Sequence, residues 1–307
     1  MLKAKPLINN QKMDVFKGTL PHYYLASTGA VILWSASFIA TKLAYETFAP
    51  IQLGAVRTLF AVIIFWFIRR ISSNDEKIKK EDRIRIAFSG FLGITLYFAI
   101  ENIGVSMTSS SNSALIVASF PAVTTLLEFF IYHLKPNFKK VFGIIIAIIG
   151  VAVLTQINVD GNSKSMLGNV ILIGAGIVWA FYNFITRDLT NKYSAITLTY
   201  YQMKAGLIFF LPLVIIENKT WRIPNITSAS ALIYLSIGCS IVALLLYNLG
   251  LRKLSASISV SLMNLVPVLG LIFSILILHE SVSAIQISGG IIVIFGVILS
   301  SIQRGEN

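Results

Sequence analysis

Charged residues are scarce in this chain. Only 12% of its 307 residues are Asp, Glu, Lys or Arg, whereas 56% are hydrophobic. Soluble domains carry about 25% charged residues, so the composition argues against a soluble globular protein and indicates several membrane-spanning helices. Residues 1–22 contain lysines but no apolar core, which predicts a short cytoplasmic tail rather than a secretory signal peptide.

Cysteine and the common catalytic motifs are also nearly absent. The single Cys239 lies in an apolar run, which excludes an intramolecular disulfide and a cysteine-based metal site. His279-Glu280 begins like a zinc-protease motif, but that motif needs a second histidine where Ser283 stands. The G-x-x-x-x-G-K-[ST] loop of ATP-driven proteins is missing as well. We therefore predict no enzymatic activity, no metal and no cofactor.

Long apolar runs fill most of the sequence. A helix needs about 20 mainly apolar residues to cross a bilayer, and ten runs approach that length. They predict an all-α integral membrane protein with ten transmembrane helices. The predicted spans are 23–44, 50–68, 86–106, 113–133, 141–157, 168–186, 195–216, 229–249, 257–278 and 285–302.

A constant offset of 146 residues joins prolines, glycines and asparagines of two apolar stretches. The matched pairs are Asn102 and Asn248, Pro121 and Pro267, Gly143 and Gly289, and Gly150 and Gly296. Trp34 and Trp179 match at an offset of 145, so each half holds five predicted spans. Because five is odd, the second half must lie upside down relative to the first. The sequence thus predicts two inverted five-helix repeats, 23–157 and 168–302, as in many secondary transporters.

Lysine and arginine are distributed unevenly between the predicted loops. With the N-terminus inside, 19 of the 25 basic residues fall in inside segments and three in outside loops. Cytoplasmic loops carry such an excess of positive charge. We therefore predict a multi-pass plasma-membrane protein whose termini, residues 1–22 and 303–307, are both cytoplasmic. The net charge of +12 then reflects orientation in the membrane, not nucleic-acid binding.

Several of these motifs together resemble the EamA-type drug/metabolite transporter superfamily, over nearly the whole chain. The resemblance is carried by Trp34-Ser35-Ala36-Ser37-Phe38, Pro50, Arg57, Pro121, Pro267, His279-Glu280, Gly289 and Gly296. It implies a five-plus-five helix architecture and a carrier of small metabolites, often an exporter of amino acids and related compounds. The family's glutamate after the fourth span of a half is present as Glu280, but Leu134 and Lys135 stand there in the first half.

Ionisable residues within predicted spans are candidates for the transport site, because each costs about 2.5–3.5 kcal/mol to insert. Arg57 and Glu101 lie at similar predicted depths. They form either an ion pair that locks two helices or a site where Glu101 carries a proton or meets a substrate amine. Glu128 is the second candidate for proton coupling, with Lys204 as the partner that would otherwise neutralise it.

Aromatic and polar residues near these charges predict a binding wall. An aromatic face beside a carboxylate suits an amine through cation–π attraction, although Trp and Tyr are also common at membrane interfaces. The predicted substrate-binding residues are Trp34, Ser37, Tyr97, Glu101, Trp179, Tyr182, Asn183, Tyr201, Gln202 and Asn248.

Pro121 and Pro267 are predicted inside helices, near the middle of the membrane. A proline there removes one backbone hydrogen bond and kinks its helix. The kink would either gate the site or simply bend the helix for packing.

These features predict a secondary carrier, monomeric or homodimeric, that exports small metabolites such as amino acids or related amines, with protons as the coupling ion. One alternative is uptake of choline or another quaternary amine, motivated by the aromatic residues. The other is a lipid-linked flippase or lipid-binding protein, which would need an open lateral groove with basic residues at one leaflet.

Overall fold

The computed structural model describes residues 20–71, 76–108, 113, 116–117, 119–155, 163–278 and 283–301. Within these ranges all regular secondary structure is helical. Six of the described helical stretches are long and apolar enough to cross a membrane. This confirms an all-helical protein with several apolar spans. The tail residues 1–19 and 302–307 and the His279-Glu280 pair lie outside the described residues.

The helices of the first half follow the apolar runs. They are α1 (Leu20–Ser35), α2 (Ser37–Ala44), α3 (Pro50–Ile71), α4 (Arg83–Gly90), the π-helical segment Phe91–Leu96, α5 (Tyr97–Met107), α6 (Phe120–Tyr132) and α7 (Phe138–Thr155). A short 3-10 turn, Lys80–Asp82, leads into α4. The stretch from α4 to α5 is continuous, so a π-helical segment interrupts one long helix.

The second half begins with two long helices and continues through interrupted ones. They are α8 (Ser163–Thr190), α9 (Ala195–Glu217), α10 (Ile226–Ile233), the π-helical segment Tyr234–Ala243, α11 (Leu244–Leu251), α12 (Ala256–Leu262), α13 (Leu265–Leu278) and α14 (Ala284–Ser301). Residues 263–264 form a turn between α12 and α13.

Local structure recurs at the offset of the sequence repeat. The π-helical segment Phe91–Leu96, shifted by 146 residues, falls within the second π-helical segment. The matched asparagines also make matched contacts with the preceding long helix. Asn102 Nδ2 donates to the Pro50 carbonyl oxygen at 3.0 Å, and Asn248 Nδ2 donates to Thr199 Oγ1 at 3.0 Å. A π-helical segment, and an asparagine that donates to a neighbouring helix, therefore occur at matched positions of the sequence repeat.

The helices α7 and α14 approach closely through glycines. A Cβ added at Gly296 would lie 2.5 Å from the Ala147 nitrogen and 2.7 Å from the Gly143 carbonyl oxygen. A Cβ added at Gly150 would lie 3.0 Å from the Gly289 carbonyl oxygen. Small residues permit such backbone contact between membrane helices. These are the glycines that the sequence repeat matches, so their spacing serves packing between the halves.

We expect Gly296→Ala to lower the melting temperature of the detergent-solubilised protein, because the added methyl group overpacks the contact at a cost of about 1–3 kcal/mol. Gly174→Ala is the matched control. It makes the same change in a helix interior, where the added Cβ would meet nothing within 4 Å. Equal melting temperatures for the two variants in the same detergent would contradict close packing at Gly296.

The two matched prolines begin helices instead of kinking them. Pro121 lies in the first turn of α6, whose N-cap is Ser119. Pro267 is the third residue of α13, just after the turn at 263–264. The first N–H groups of a helix have no intrahelical partner, so a proline there removes no hydrogen bond. The predicted mid-helix kinks are therefore wrong, and a helix break precedes Pro267 instead.

Charged loop residues gather at one end of the bundle. Lys192 Nζ lies 2.8 Å from Asp82 Oδ1, and the Tyr193 hydroxyl donates to Asp82 Oδ2 at 2.7 Å. Arg252 Nε donates to the Thr190 carbonyl oxygen at 2.8 Å. Burial and the hydrogen bond to the Asp82 carboxylate raise the pKa of Tyr193 to about 12, so this hydroxyl remains a donor at neutral pH. These contacts join the start of α4 to the α8–α9 and α11–α12 loops.

Candidate functional site

A small cavity lies between helices of the two halves. Its volume is about 40 Å³, enough for water, which needs about 10–15 Å³. Small-molecule pockets usually enclose about 300–1,000 Å³, so this cavity is smaller than a usual ligand pocket. The lining residues are Trp34, Ser37, Phe38, Thr41, Arg57, Tyr97, Phe98, Glu101, Asn102, Val105, Val117, Trp179, Met263 and Val266.

Two opposite charges face this cavity without pairing. Arg57 in α3 donates from Nε to Ser240 Oγ at 2.8 Å, and its guanidinium carbon lies 4.2 Å from the Phe98 ring centroid. Glu101 in α5 accepts a hydrogen bond from the Tyr97 hydroxyl at 2.7 Å. Among the described residues, no ion pair within 4.0 Å joins Arg57 to Glu101. The predicted direct ion pair between α3 and α5 is therefore not formed in this structure, and both side chains border the cavity.

Aromatic rings from both halves form one wall of the cavity. The centroids of Trp34 and Trp179 lie 5.9 Å apart with their rings nearly perpendicular, and those of Tyr97 and Trp179 lie 4.6 Å apart. Tyr247 packs behind them, 5.1 Å from Trp34 and 5.4 Å from Trp179. Trp34 Nε1 also donates to the Cys239 carbonyl oxygen at 3.2 Å. The matched tryptophans of the two halves thus meet beside Glu101, where an amine would find π faces.

Four of the predicted binding residues lie outside the cavity lining and bond within a buried network. The Tyr182 hydroxyl donates to Asn248 Oδ1 at 2.9 Å, and the Tyr247 hydroxyl donates to Asn183 Oδ1 at 2.7 Å. Asn248 Nδ2 lies 3.4 Å from Gln202 Oε1. The network links α8, α9 and α11. Because these polar groups satisfy one another, we interpret Tyr182, Asn183, Gln202 and Asn248 as supports of the aromatic wall rather than as ligands of the substrate.

Tyr201 and Lys204 lie apart from both charged candidates. The Tyr201 ring packs against Tyr200 at 5.1 Å, and the Arg69 guanidinium carbon lies 5.0 Å from its centroid. Lys204 is on the exposed face of α9. Neither side chain lines the cavity. Tyr201 therefore lies away from the candidate cavity. The predicted neutralisation of Glu128 by Lys204 is wrong, because Lys140 occupies that place.

Glu128 lies at the far end of α6 and is paired with a different lysine. Lys140 Nζ is 3.1 Å from Glu128 Oε2. The same carboxylate accepts the backbone N–H of Ser257 at 3.3 Å and also the Ser257 hydroxyl. Glu128 thus ties α7 and the start of α12 to α6.

Several cavity residues were missed by sequence reasoning. Phe38 and Thr41 follow Trp34 by four and seven residues, and Val105 follows Glu101 by four, so each pair shares a helical face. Those spacings were readable from the sequence. Apolar side chains give no comparable signal, because apolar residues are equally common on lipid-facing surfaces. The remaining apolar residues that were missed are Phe98, Val117, Met263 and Val266. Asn102 is singled out by the sequence repeat, which gives no reason to assign it to a site.

Curated relatives align with almost the full chain. An uncharacterized transporter of Archaeoglobus fulgidus is 27% identical over 294 residues, which cover 93% of this chain and 98% of that protein. Uncharacterized transporter YetK of Bacillus subtilis is 24% identical over 289 residues, covering 92% and 88%. A probable terminal-alkyne amino-acid exporter of Streptantibioticus cattleyicolor is 23% identical over 269 residues, covering 88% and 90%. All three are transporters, not enzymes.

Fold comparison and a family model agree with these alignments. One solved crystal structure superposes with a TM-score of 0.76 at 14% identity and covers 92% of this chain and 96% of its own. The model of the EamA-like transporter family matches residues 22–156 and again residues 166–302. Because these two matches span nearly all of the apolar helices, the protein belongs to the EamA-like transporter family.

Proposed function

We propose that this protein is a secondary active transporter that exports amino acids or closely related amines across the plasma membrane. The observation that carries the proposal is the unpaired Arg57 guanidinium and Glu101 carboxylate at one cavity. An amino acid carries the complement of each charge. Arginine binds carboxylates through two parallel hydrogen bonds, and a carboxylate beside aromatic faces suits an ammonium group. The relative named as a probable amino-acid exporter supports the same substrate class.

The two alternative functions fit the site less well. Choline would meet Glu101 and the aromatic wall but would leave the Arg57 guanidinium without an anion. A lipid-binding protein needs a lateral groove with basic residues. An apolar groove of about 300 Å³ does lie between α6 and α7, but its described lining contains no basic side chain. An amino acid is therefore the substrate class that uses both charges of the cavity.

The proposed architecture is ten transmembrane helices in two inverted repeats, 23–157 and 168–302, that exchange access to the cavity. Recurrent π-helical segments, matched asparagine contacts and the glycine contact between α7 and α14 support it. The small cavity volume also supports it. A carrier that alternates access must close around its site between its two open states.

The proposed orientation has both termini in the cytoplasm. The end of the bundle that joins Asp82, Lys192 and Arg252 would then be cytoplasmic, in keeping with its basic loops. At the other end Asn225 Nδ2 donates to Glu46 Oε2 at 3.0 Å.

Single cysteines test this orientation. In a Cys239→Ser background, Lys77→Cys and Lys219→Cys should react with an impermeant thiol reagent from opposite sides, because both positions are exposed and the proposed topology assigns them to opposite loops. Lys77→Cys should react from the cytoplasm. Oriented vesicles labelled from each side provide the measurement, with Cys239→Ser alone as the blank. Reaction of both cysteines from the same side would reject the topology.

Proton coupling is the proposed driving force, with Glu128 as the coupling carboxylate. Its contacts join α6, α7 and α12, so the charge of Glu128 affects how these three helices pack. A neutral carboxyl attracts the Lys140 ammonium less, and proton binding would therefore favour a different arrangement of the helices.

One transport screen tests the substrate class. Purified protein in proteoliposomes is offered labelled amino acids, their amides, their deaminated analogues and choline, with and without a pH gradient. We expect uptake or counterflow of at least one amino acid, and weaker transport of the amide and of the deaminated analogue. Transport of choline with no amino acid transported would overturn the proposal.

A further inference from the structure

A buried seam between α6 and α12 connects the cavity to Glu128. Val117, ahead of α6, and Met263, just after α12, both line the cavity. At the other end, Glu128 of α6 accepts the N–H of Ser257 in α12. These two contacts place α6 and α12 side by side in opposite directions. The seam therefore runs from the cavity to Lys140, whose side chain is 19% exposed.

Polar side chains line this seam without partners. Thr124 lies one turn from Glu128 on α6, and Ser261 lies one turn from Ser257 on α12. Each therefore shares a helical face with one partner of the Glu128–Ser257 contact. Asn264 follows at the turn beside the cavity residue Met263. The hydroxyls of Thr124 and Ser261 and both amide atoms of Asn264 are buried and accept or donate no hydrogen bond among the described residues.

Unpartnered polar groups are costly in a closed protein interior, and Asn264 lacks a partner on both of its side-chain amide atoms among the described residues. Such groups are satisfied when water or a polar solute enters. At the outer end of the row, Glu128 accepts the N–H of Ser257 and pairs with Lys140, so these contacts hold α6 against α12 there. The seam is thus closed at one end by the Glu128–Ser257 contact, is lined by unpartnered polar side chains and reaches the cavity at its other end.

We infer that the α6–α12 seam is the passage between the cavity and the membrane face that carries Lys140, and that Glu128 is its latch. When Glu128 leaves Ser257, the two helices part, and Thr124, Ser261 and Asn264 bond to water and to the passing polar groups of the substrate. The inference rests on the proposed transport site in the cavity, and it assigns to these three residues a role in the access path.

Thiol accessibility tests the passage without any substrate. Single cysteines Thr124→Cys and Ser261→Cys, in the Cys239→Ser background, are exposed to an impermeant cationic methanethiosulfonate in oriented vesicles. The matched controls are Thr125→Cys and Ser259→Cys. These are also buried Thr and Ser residues of the same two helices with unpartnered hydroxyls. Thr125 borders the apolar groove between α6 and α7, and Ser259, two residues from Ser257, does not share its helical face. Lys139→Cys, at an exposed position, marks the side.

We expect both seam cysteines to react from the Lys139 side, and about tenfold or more faster than their controls. Adding Glu128→Ala should raise the reaction rate at Ser261→Cys further, because the latch contacts are gone. Seam cysteines that react no faster than their controls, or only from the opposite side, would overturn the inference. Since the two seam cysteines lie on different helices, misfolding of one variant leaves the other as the test. Labelling of the seam in a protein that transports no amino acid would reject the proposed substrate and retain the passage.

Discussion

Glu101→Gln is expected to weaken amino-acid binding by roughly 10- to 150-fold, because a hydrogen bond to a charged group is worth about 1.5–3 kcal/mol. Glu101 is the one carboxylate in the described cavity lining. Glutamine keeps the size of the side chain and still accepts the Tyr97 hydroxyl, so the loss is of charge alone. Fluorescence titration measures the Kd, since Trp34 and Trp179 line the same cavity.

Measuring the binding of each ligand to each variant tests whether Glu101 contacts the ammonium group and Arg57 the carboxylate of an amino acid. Glu101→Gln should weaken the intact amino acid strongly and its deaminated analogue little. Arg57→Gln should weaken the intact amino acid strongly and its amide little, because the amide lacks the carboxylate that the guanidinium would bind. Glu46→Gln is the control, a carboxylate neutralised on the exposed surface. If each variant weakened all ligands equally, Arg57 and Glu101 would be structural and the proposed contacts would be wrong.

Much of the helical layout could be predicted from the sequence. The predicted spans 195–216 and 50–68 correspond to α9 (Ala195–Glu217) and α3 (Pro50–Ile71). This agreement has a physical cause, because a backbone in lipid must satisfy its own hydrogen bonds over the full membrane thickness. The interruptions could not be predicted in the same way. Ala36 and the turn at 263–264 lie inside apolar runs that are each long enough to be taken for one continuous span.

The candidate site could be predicted only in part. Trp34, Tyr97 and Glu101 stand out in the sequence because large polar or charged groups are rare in apolar spans, and all three line the cavity. Tyr182 and Asn183 have the same appearance in the sequence, but their partners lie 66 and 64 residues away and satisfy them. Residue type alone does not distinguish a satisfied polar network from an open one.

The pairing of Glu128 was missed for a geometric reason. Depth estimated from the ends of the predicted spans puts Lys140 in a loop and leaves Lys204 as the nearest cation to Glu128. In the structure α7 begins at Phe138, only a short connection after α6 ends at Tyr132. The two helices therefore run back beside each other, and Lys140 reaches Glu128 at 3.1 Å. A short loop between antiparallel helices brings their ends together. An estimate of depth along the membrane normal contains no information on which helices are neighbours.

The second large effect is expected for Glu128→Gln, which fixes the neutral form of the coupling carboxylate. The charged form attracts Lys140 and receives the Ser257 N–H, so it stabilises the closed seam. The neutral form lacks the ionic attraction, and a proton on Glu128 would therefore favour the open seam. A gradient drives accumulation only if the two access states bind protons differently. Glutamine removes that difference and leaves the cavity unchanged.

We therefore expect Glu128→Gln to retain substrate binding and counterflow but to lose accumulation driven by a pH gradient. Both quantities are measured in the same proteoliposomes, counterflow without a gradient and accumulation with one. Lys140→Gln is the matched control, because it breaks the same ion pair yet keeps a carboxyl that can bind a proton. It should still accumulate substrate in response to the gradient. If Glu128→Gln accumulated substrate like the wild-type protein, Glu128 would not couple transport to protons. Glu101, the carboxylate of the cavity itself, would then be the next residue to neutralise in the same assay.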